Sequence, residues 1–121
     1  MYFCQKDISM SHRSIPTELK PLLADLKKGL SELYGERLNQ VILFGSYARG
    51  EQREESDVDV LVVLNDEKIS PLTEISNMSV MNSDLGLKYD KWISTIPVVK
   101  TRFSSLRLPL YENVREDGIE L

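Results

Sequence analysis

Between Gln40 and Leu64 the chain reads QVILFGSYARGEQREESDVDVLVVL, and this stretch limits the fold more than any other. An apolar run, Val41 to Phe44, stops at Gly45-Ser46; a second run opens with Asp57-Val58-Asp59 and continues to Leu64. Short runs rich in β-branched residues and punctuated by turn formers predict strands. The second run is apolar at nearly every position after its aspartates, which predicts a central strand covered on both faces. Ser46 to Arg49 is expected to start a short helix, and GEQREE (residues 50–55) is too polar to bury and is expected as an exposed loop.

The rest of the chain reads as a frame for this stretch. Leu19, Leu22, Leu23, Leu26, Leu30 and Leu33 fall at helical spacing between Thr17 and Tyr34, with Asp25, Lys27, Lys28, Ser31 and Glu32 mostly on the other side. Pro16 and Pro21 hold the helix start at or just after them, and Gly35 is its expected stop. Ser70-Pro71 predicts a helix to about Asn82 with Leu72, Ile75 and Met78 or Ser79 inward. Leu87 to Val98 is aromatic and β-branched and predicts a third strand, with Pro97 near its end. Phe103–Leu108 fits neither pattern cleanly. Leu110–Glu116 predicts a helix entered through Pro109 and ended by Gly118, followed by a short extended segment at Ile119–Leu121. The fold class is α+β, a small mixed sheet packed by helices in two layers. Residues 1–13 lack periodicity and are expected as a flexible tail, leaving residues 14–121 as one domain, with Met10 as an alternative start.

Composition narrows the partners. A net charge of −4 over 121 residues argues against nucleic acid, which is bound through clustered Lys and Arg. The single cysteine, Cys4, cannot close an internal disulfide, and no apolar run approaches the ~20 residues of a membrane span. These features, with no signal-peptide pattern at the start, predict a cytoplasmic protein. Cys4 and His12 lack the second ligand pair a zinc site needs, so a free thiol and a solvated imidazole are the expectation.

The chemistry lies at the turn and the carboxylates. Alternate side chains of a strand share a face, so Asp57 and Asp59 point the same way. Two carboxylates that close cannot both ionise cheaply, and a divalent cation removes the conflict. Mg²⁺ is the natural candidate, because it is held by one or two carboxylates together with substrate phosphates. Gly45 lets the backbone approach a ligand, and Ser46 at a helix start offers a hydroxyl beside free N–H groups, as a triphosphate requires. Arg49 could add a charge-assisted contact. The pattern is not a P-loop, because Gly50 is followed by Glu51 and Gln52 rather than Lys and Ser or Thr. Nor is it a hydrolase triad, the sole histidine being His12. Taken singly, Gly45-Ser46 would read as a plain turn and Asp57 as a cap; their conjunction favours the site.

Gly45-Ser46, then ten residues, then Asp57-Val58-Asp59 resembles the nucleotidyltransferase superfamily with the DNA polymerase β-like palm. FGSYARG (44–50) followed by SDVDVLVV (56–63) looks most like the minimal nucleotidyltransferases that pair with HEPN-domain toxins, and LYENVREDGI (110–119) resembles their last helix. The resemblance implies that Gly45 and Ser46 bind the triphosphate and that Asp57 and Asp59 hold one or two Mg²⁺. It also implies a third carboxylate on a later strand. Asp90, mid-strand in Leu87–Val98, is the candidate and Asp84 the runner-up.

The implied activity is an antitoxin that moves AMP from ATP to a tyrosine of a HEPN ribonuclease toxin. The small size of the chain supports a protein acceptor, since little is left over to enclose a small one. Transfer to a small hydroxyl compound of the aminoglycoside type is the enzymatic alternative, with a homo-oligomer supplying the missing wall. A non-catalytic antitoxin acting by docking alone is the other.

Overall fold

The computed structural model describes residues 15–121, so the expectations for residues 1–13, including Cys4, Met10 and His12, lie outside the described residues. After a single 3₁₀ turn at Thr17–Leu19, the order is α1 (Lys20–Tyr34), β1 (Leu38–Phe44), α2 (Ser46–Arg49), β2 (Val58–Leu64) and α3 (Pro71–Tyr89). Then come β3 (Ile93–Val99), α4 (Lys100–Ser105), α5 (Pro109–Asp117) and β4 (Ile119–Glu120). The four strands form one mixed sheet in the order β3-β2-β1-β4. β1 runs antiparallel to both β2 and β4, whereas β2 and β3 are parallel.

β2 is central, and all its residues except Asp59 are buried, as its unbroken apolar sequence requires. Its alternation divides the core. Val58, Val60, Val62 and Leu64 face the leucines of α1 and Met78 of α3, while Leu61 and Val63 join Ile42 and Val98 against Phe103, Tyr111 and Val114. Helices therefore cover both faces, and the expected two layers gain a thinner third built from α4 and α5. Arg115 of α5 clamps that layer by donating to the carbonyls of Phe103 and Leu106.

α1 begins and ends where its prolines and Gly35 predict, but Leu33 lies outside the stripe and is exposed. α5 and β4 also take their expected places. Two elements differ. α3 runs past Asn82 to Tyr89, and it buries Glu74 and Met78 while Leu72 and Ile75 face solvent. The inward row continues through Met81, Leu85 and Tyr89. Glu74 can face inward because Arg37, in the turn after α1, donates to it at 2.7 Å and to Asp66 at 2.9 Å.

The third strand starts at Ile93 rather than Leu87, because Leu87, Lys88 and Tyr89 complete the last turn of α3. Gly86 makes that turn possible. A Cβ there would stand 2.7 Å from the Lys91 carbonyl oxygen, so a side chain would block the close return of the chain. Pro97 sits inside β3, which is tolerated because β3 is an outer strand.

Candidate active site

The β1–β2 register fixes the site. Phe44, the last residue of β1, lies opposite Asp59, so the turn that leaves β1 and the acids that open β2 meet at one end of the sheet. Gly45 has φ 78° and ψ −155°, a region open essentially to glycine alone. A Cβ on Gly45 would lie 2.5 Å from Oδ2 of Asp59, so the missing side chain is what leaves room for that carboxylate beside the turn. Ser46 then opens α2, whose Ala48 and Arg49 N–H groups both donate to the Gly45 carbonyl at 3.1 Å. Tyr47 and Ala48 are buried in the main core and anchor the turn from beneath.

Asp59 is half-buried and Asp57 exposed. Burial pushes the Asp59 carboxyl above its usual range, the charge of Asp57 pushes it further the same way, and Arg49 opposes both. Asp57 therefore lies close enough for its charge to act on Asp59. An oxygen-ligated divalent cation fits this donor set: one exposed and one half-buried carboxylate beside a turn that carries no side chain at Gly45. Arg49 is within electrostatic reach of Asp59, but its Nε donates to Glu51 at 2.9 Å rather than to either acid.

Asp90 does not complete a three-acid cluster with the pair: among the described residues no group of three or more His, Cys, Asp or Glu is placed to hold a metal ion. Asp90 is not on a strand: it caps α3 in the left-handed conformation, φ 55°, and lines a groove between α3 and β3. Asp can adopt this conformation at a helix end because its short polar side chain tolerates it. Asp59, one residue after Val58, points to the opposite face of the sheet, the side of α4 and α5. Asp84 is exposed on α3 and is no nearer in the chain to β3. The β3 residue paired with Asp59 is Ser94, which no local sequence signal marks, because only the β2–β3 register makes it a neighbour.

The groove holds about 780 Å³ and is lined by Ile75, Asn82, Leu87, Trp92 and Thr95 among others. Leu87 and Trp92 are largely exposed. The Trp92 carbonyl accepts from the Val58 N–H at 2.8 Å, which ties the end of the groove to the start of β2.

Residues 23–119 match the family model described as a nucleotidyltransferase domain. This chain belongs to the nucleotidyltransferase family. The nucleotidyltransferase is 36% identical over 104 residues to MJ0141 of Methanocaldococcus jannaschii, which carries a protein adenylyltransferase name, covering 86% of this chain and 99% of that one. It is 26% identical to a solved structure described as a minimal nucleotidyltransferase, with a TM-score of 0.56 and coverage of 92% and 99% of the two chains. A toxin–antitoxin crystal structure with AMP-PNP shares the fold at 21% identity and a TM-score of 0.58, over 87% of this chain and 72% of that one. The enzyme thus stands, in family and in fold, with the minimal nucleotidyltransferases. No helix among its described residues is long and apolar enough to cross a membrane.

Proposed function

We propose that this nucleotidyltransferase is a cytoplasmic antitoxin, acting as one domain over residues 14–121, that transfers AMP from ATP to a tyrosine hydroxyl of a HEPN ribonuclease toxin. The observation that carries the reading is the packing of the Asp59 carboxylate into the space left by Gly45, at the mouth where two strands end. Gly45 and Ser46 would hold the triphosphate, with backbone and hydroxyl donors in place of a lysine. Asp57 and Asp59 would hold Mg²⁺ through their carboxylate oxygens; when bound, the ion neutralises phosphate charge and polarises the α-phosphate. Arg49 would lend positive charge at the rim once released from Glu51.

The transfer forms a bond between the acceptor oxygen and the α-phosphorus. It breaks the bond from that phosphorus to the bridging oxygen, and pyrophosphate leaves with the electron pair while the hydroxyl proton passes to water. In-line displacement of this kind depends on positioning more than on covalent chemistry, which suits a site with so few reactive groups. The protein name borne by the relative and the toxin–antitoxin assembly sharing the fold support a protein acceptor. The exposed groove beside β3 supports it too, since Leu87 and Trp92 leave apolar surface for a partner to cover.

Incubation with α-labelled ATP, Mg²⁺ and the product of the neighbouring gene tests the reading. Label is expected on a tyrosine of the partner by mass spectrometry, with loss of its ribonuclease activity. An unlabelled partner in the presence of folded, Mg²⁺-supplied enzyme would overturn it. If Asp57→Asn and Asp59→Asn proteins still neutralise the partner, docking alone suffices.

A further inference from the structure

The sheet leaves only two carboxylates at the site. Asp59 is flanked on β1 by Phe44 and on β3 by Ser94, and registered neighbours in a sheet present their side chains on the same face, strands being about 4.8 Å apart. A third acid supplied by the sheet would therefore stand at position 94, or two residues away along β3. Those positions hold Ser94, Ile96 and, just before the strand, Trp92. No acid occurs anywhere in β3. Among the described residues no group of three or more His, Cys, Asp or Glu is placed to hold a metal ion.

We propose that this chain furnishes a single divalent-cation position, built from Asp57 and Asp59, and that Ser94 is the point at which a second position is left incomplete. The proposal rests on the nucleotidyl-transfer reading and deepens it. Two carboxylates carry two negative charges, enough to match one divalent ion brought with a triphosphate. A pair of such ions would double the positive charge without a further ligand from the chain. A neutral hydroxyl at position 94 can accept a hydrogen bond or ligate weakly, but it brings no charge. The acceptor hydroxyl is then positioned without a second ion held by this chain.

Counting Mn²⁺ tests this without reference to turnover. The protein is dialysed to equilibrium against Mn²⁺ with saturating AMP-PNP, and retained metal and nucleotide are measured per chain; frozen-solution electron paramagnetic resonance reports whether bound ions are spin-coupled. About one Mn²⁺ per retained nucleotide is expected, with an uncoupled spectrum and any further ion held at least about tenfold more weakly. Ser94→Asp, checked for native circular dichroism, is expected to retain a second Mn²⁺ and give the collapsed hyperfine pattern of a coupled pair. Two equally tight, coupled ions in the unaltered protein would overturn the proposal while leaving nucleotidyl transfer standing. No retained Mn²⁺ and no retained nucleotide would overturn both. A folded Ser94→Asp protein that still retains one ion would overturn the assignment to position 94.

Discussion

Gly45 is the residue on which most depends, because backbone conformation and carboxylate room are both spent there. Gly45→Ala is expected to cost about 1–3 kcal/mol from its dihedral angles alone. It should also displace Asp59, whose Oδ2 would lie 2.5 Å from the new Cβ. Nucleotide affinity, measured by calorimetry with AMP-PNP, should fall with it; unchanged affinity would mean that Gly45 does not shape the site. Asp57→Asn and Asp59→Asn should each lower AMP transfer by about 10²-fold or more, as loss of an electrostatic stabiliser does. Asp59 also sets a pH dependence. Its folded pKa is raised, so without Mg²⁺ its contribution to stability is greatest at acid pH and is lost as pH rises through the folded value. Added Mg²⁺ should therefore raise the melting temperature more at neutral pH than near pH 4, a difference that Asp59→Asn should abolish.

Among the elements, those with strong periodic or compositional signals were readable from sequence. α1 follows from its leucine spacing, β1 and β2 from their apolar runs, and α5 from Pro109 and Gly118. Leu26 has no exposed surface, and Leu26→Ala should cost about 2–5 kcal/mol in urea unfolding. α3 departs from its expected inward row because that row begins with a charged residue. Glu74 faces inward only because Arg37 arrives from a distant turn, and no local pattern announces such a partner. Arg37→Ala should destabilise by about 1–3 kcal/mol, with solvent at the half-exposed arginine limiting the loss. A double-mutant cycle with Glu74→Gln should show coupling between the two.

The expected strand start at Leu87 likewise puts Asp90 on β3, whereas the strand begins at Ile93. Aromatic and apolar residues at Leu87–Tyr89 suit either a strand or the last turn of a helix, and Gly86 with the Lys91 carbonyl decides between them. The end of α3 is also tied to α1: Tyr89 and Lys88 donate to Asp25, at 2.5 and 3.0 Å. Those contacts hold the Asp25 carboxyl below its usual range, the tyrosine contributing most. Their stabilisation is present above the ordinary carboxylate value and is lost as pH falls through the lower folded one. An Asp25 midpoint at or above the ordinary value, by nuclear magnetic resonance, would contradict this.

At the scale of the whole molecule, local sequence marks the first half of the candidate site, Gly45, Ser46, Asp57 and Asp59, because those residues flank the short helix and loop that join consecutive strands. The other wall depends on β3 pairing in parallel with β2 across a long helix, and only the assembled sheet shows that Ser94 is the neighbour of Asp59. The groove between α3 and β3 is a second product of assembly. If an acceptor protein docks there, Trp92→Asp should weaken its binding by about 2 kcal/mol, roughly 30-fold, while AMP-PNP affinity stays unchanged. Equal losses for partner and nucleotide would place Trp92 in the fold or the nucleotide pocket rather than the docking surface.

Pro97 gives the outer edge of β3 a further property. An open strand edge invites unlimited addition of further chains, which ends in fibres or precipitate. A proline there has no N–H to offer a newcomer, so an added strand loses a rung beside it. The first half of β3, Ile93 to Ile96, stays available for a brief, specific contact, while the ring beyond it discourages the ladder from growing into a filament.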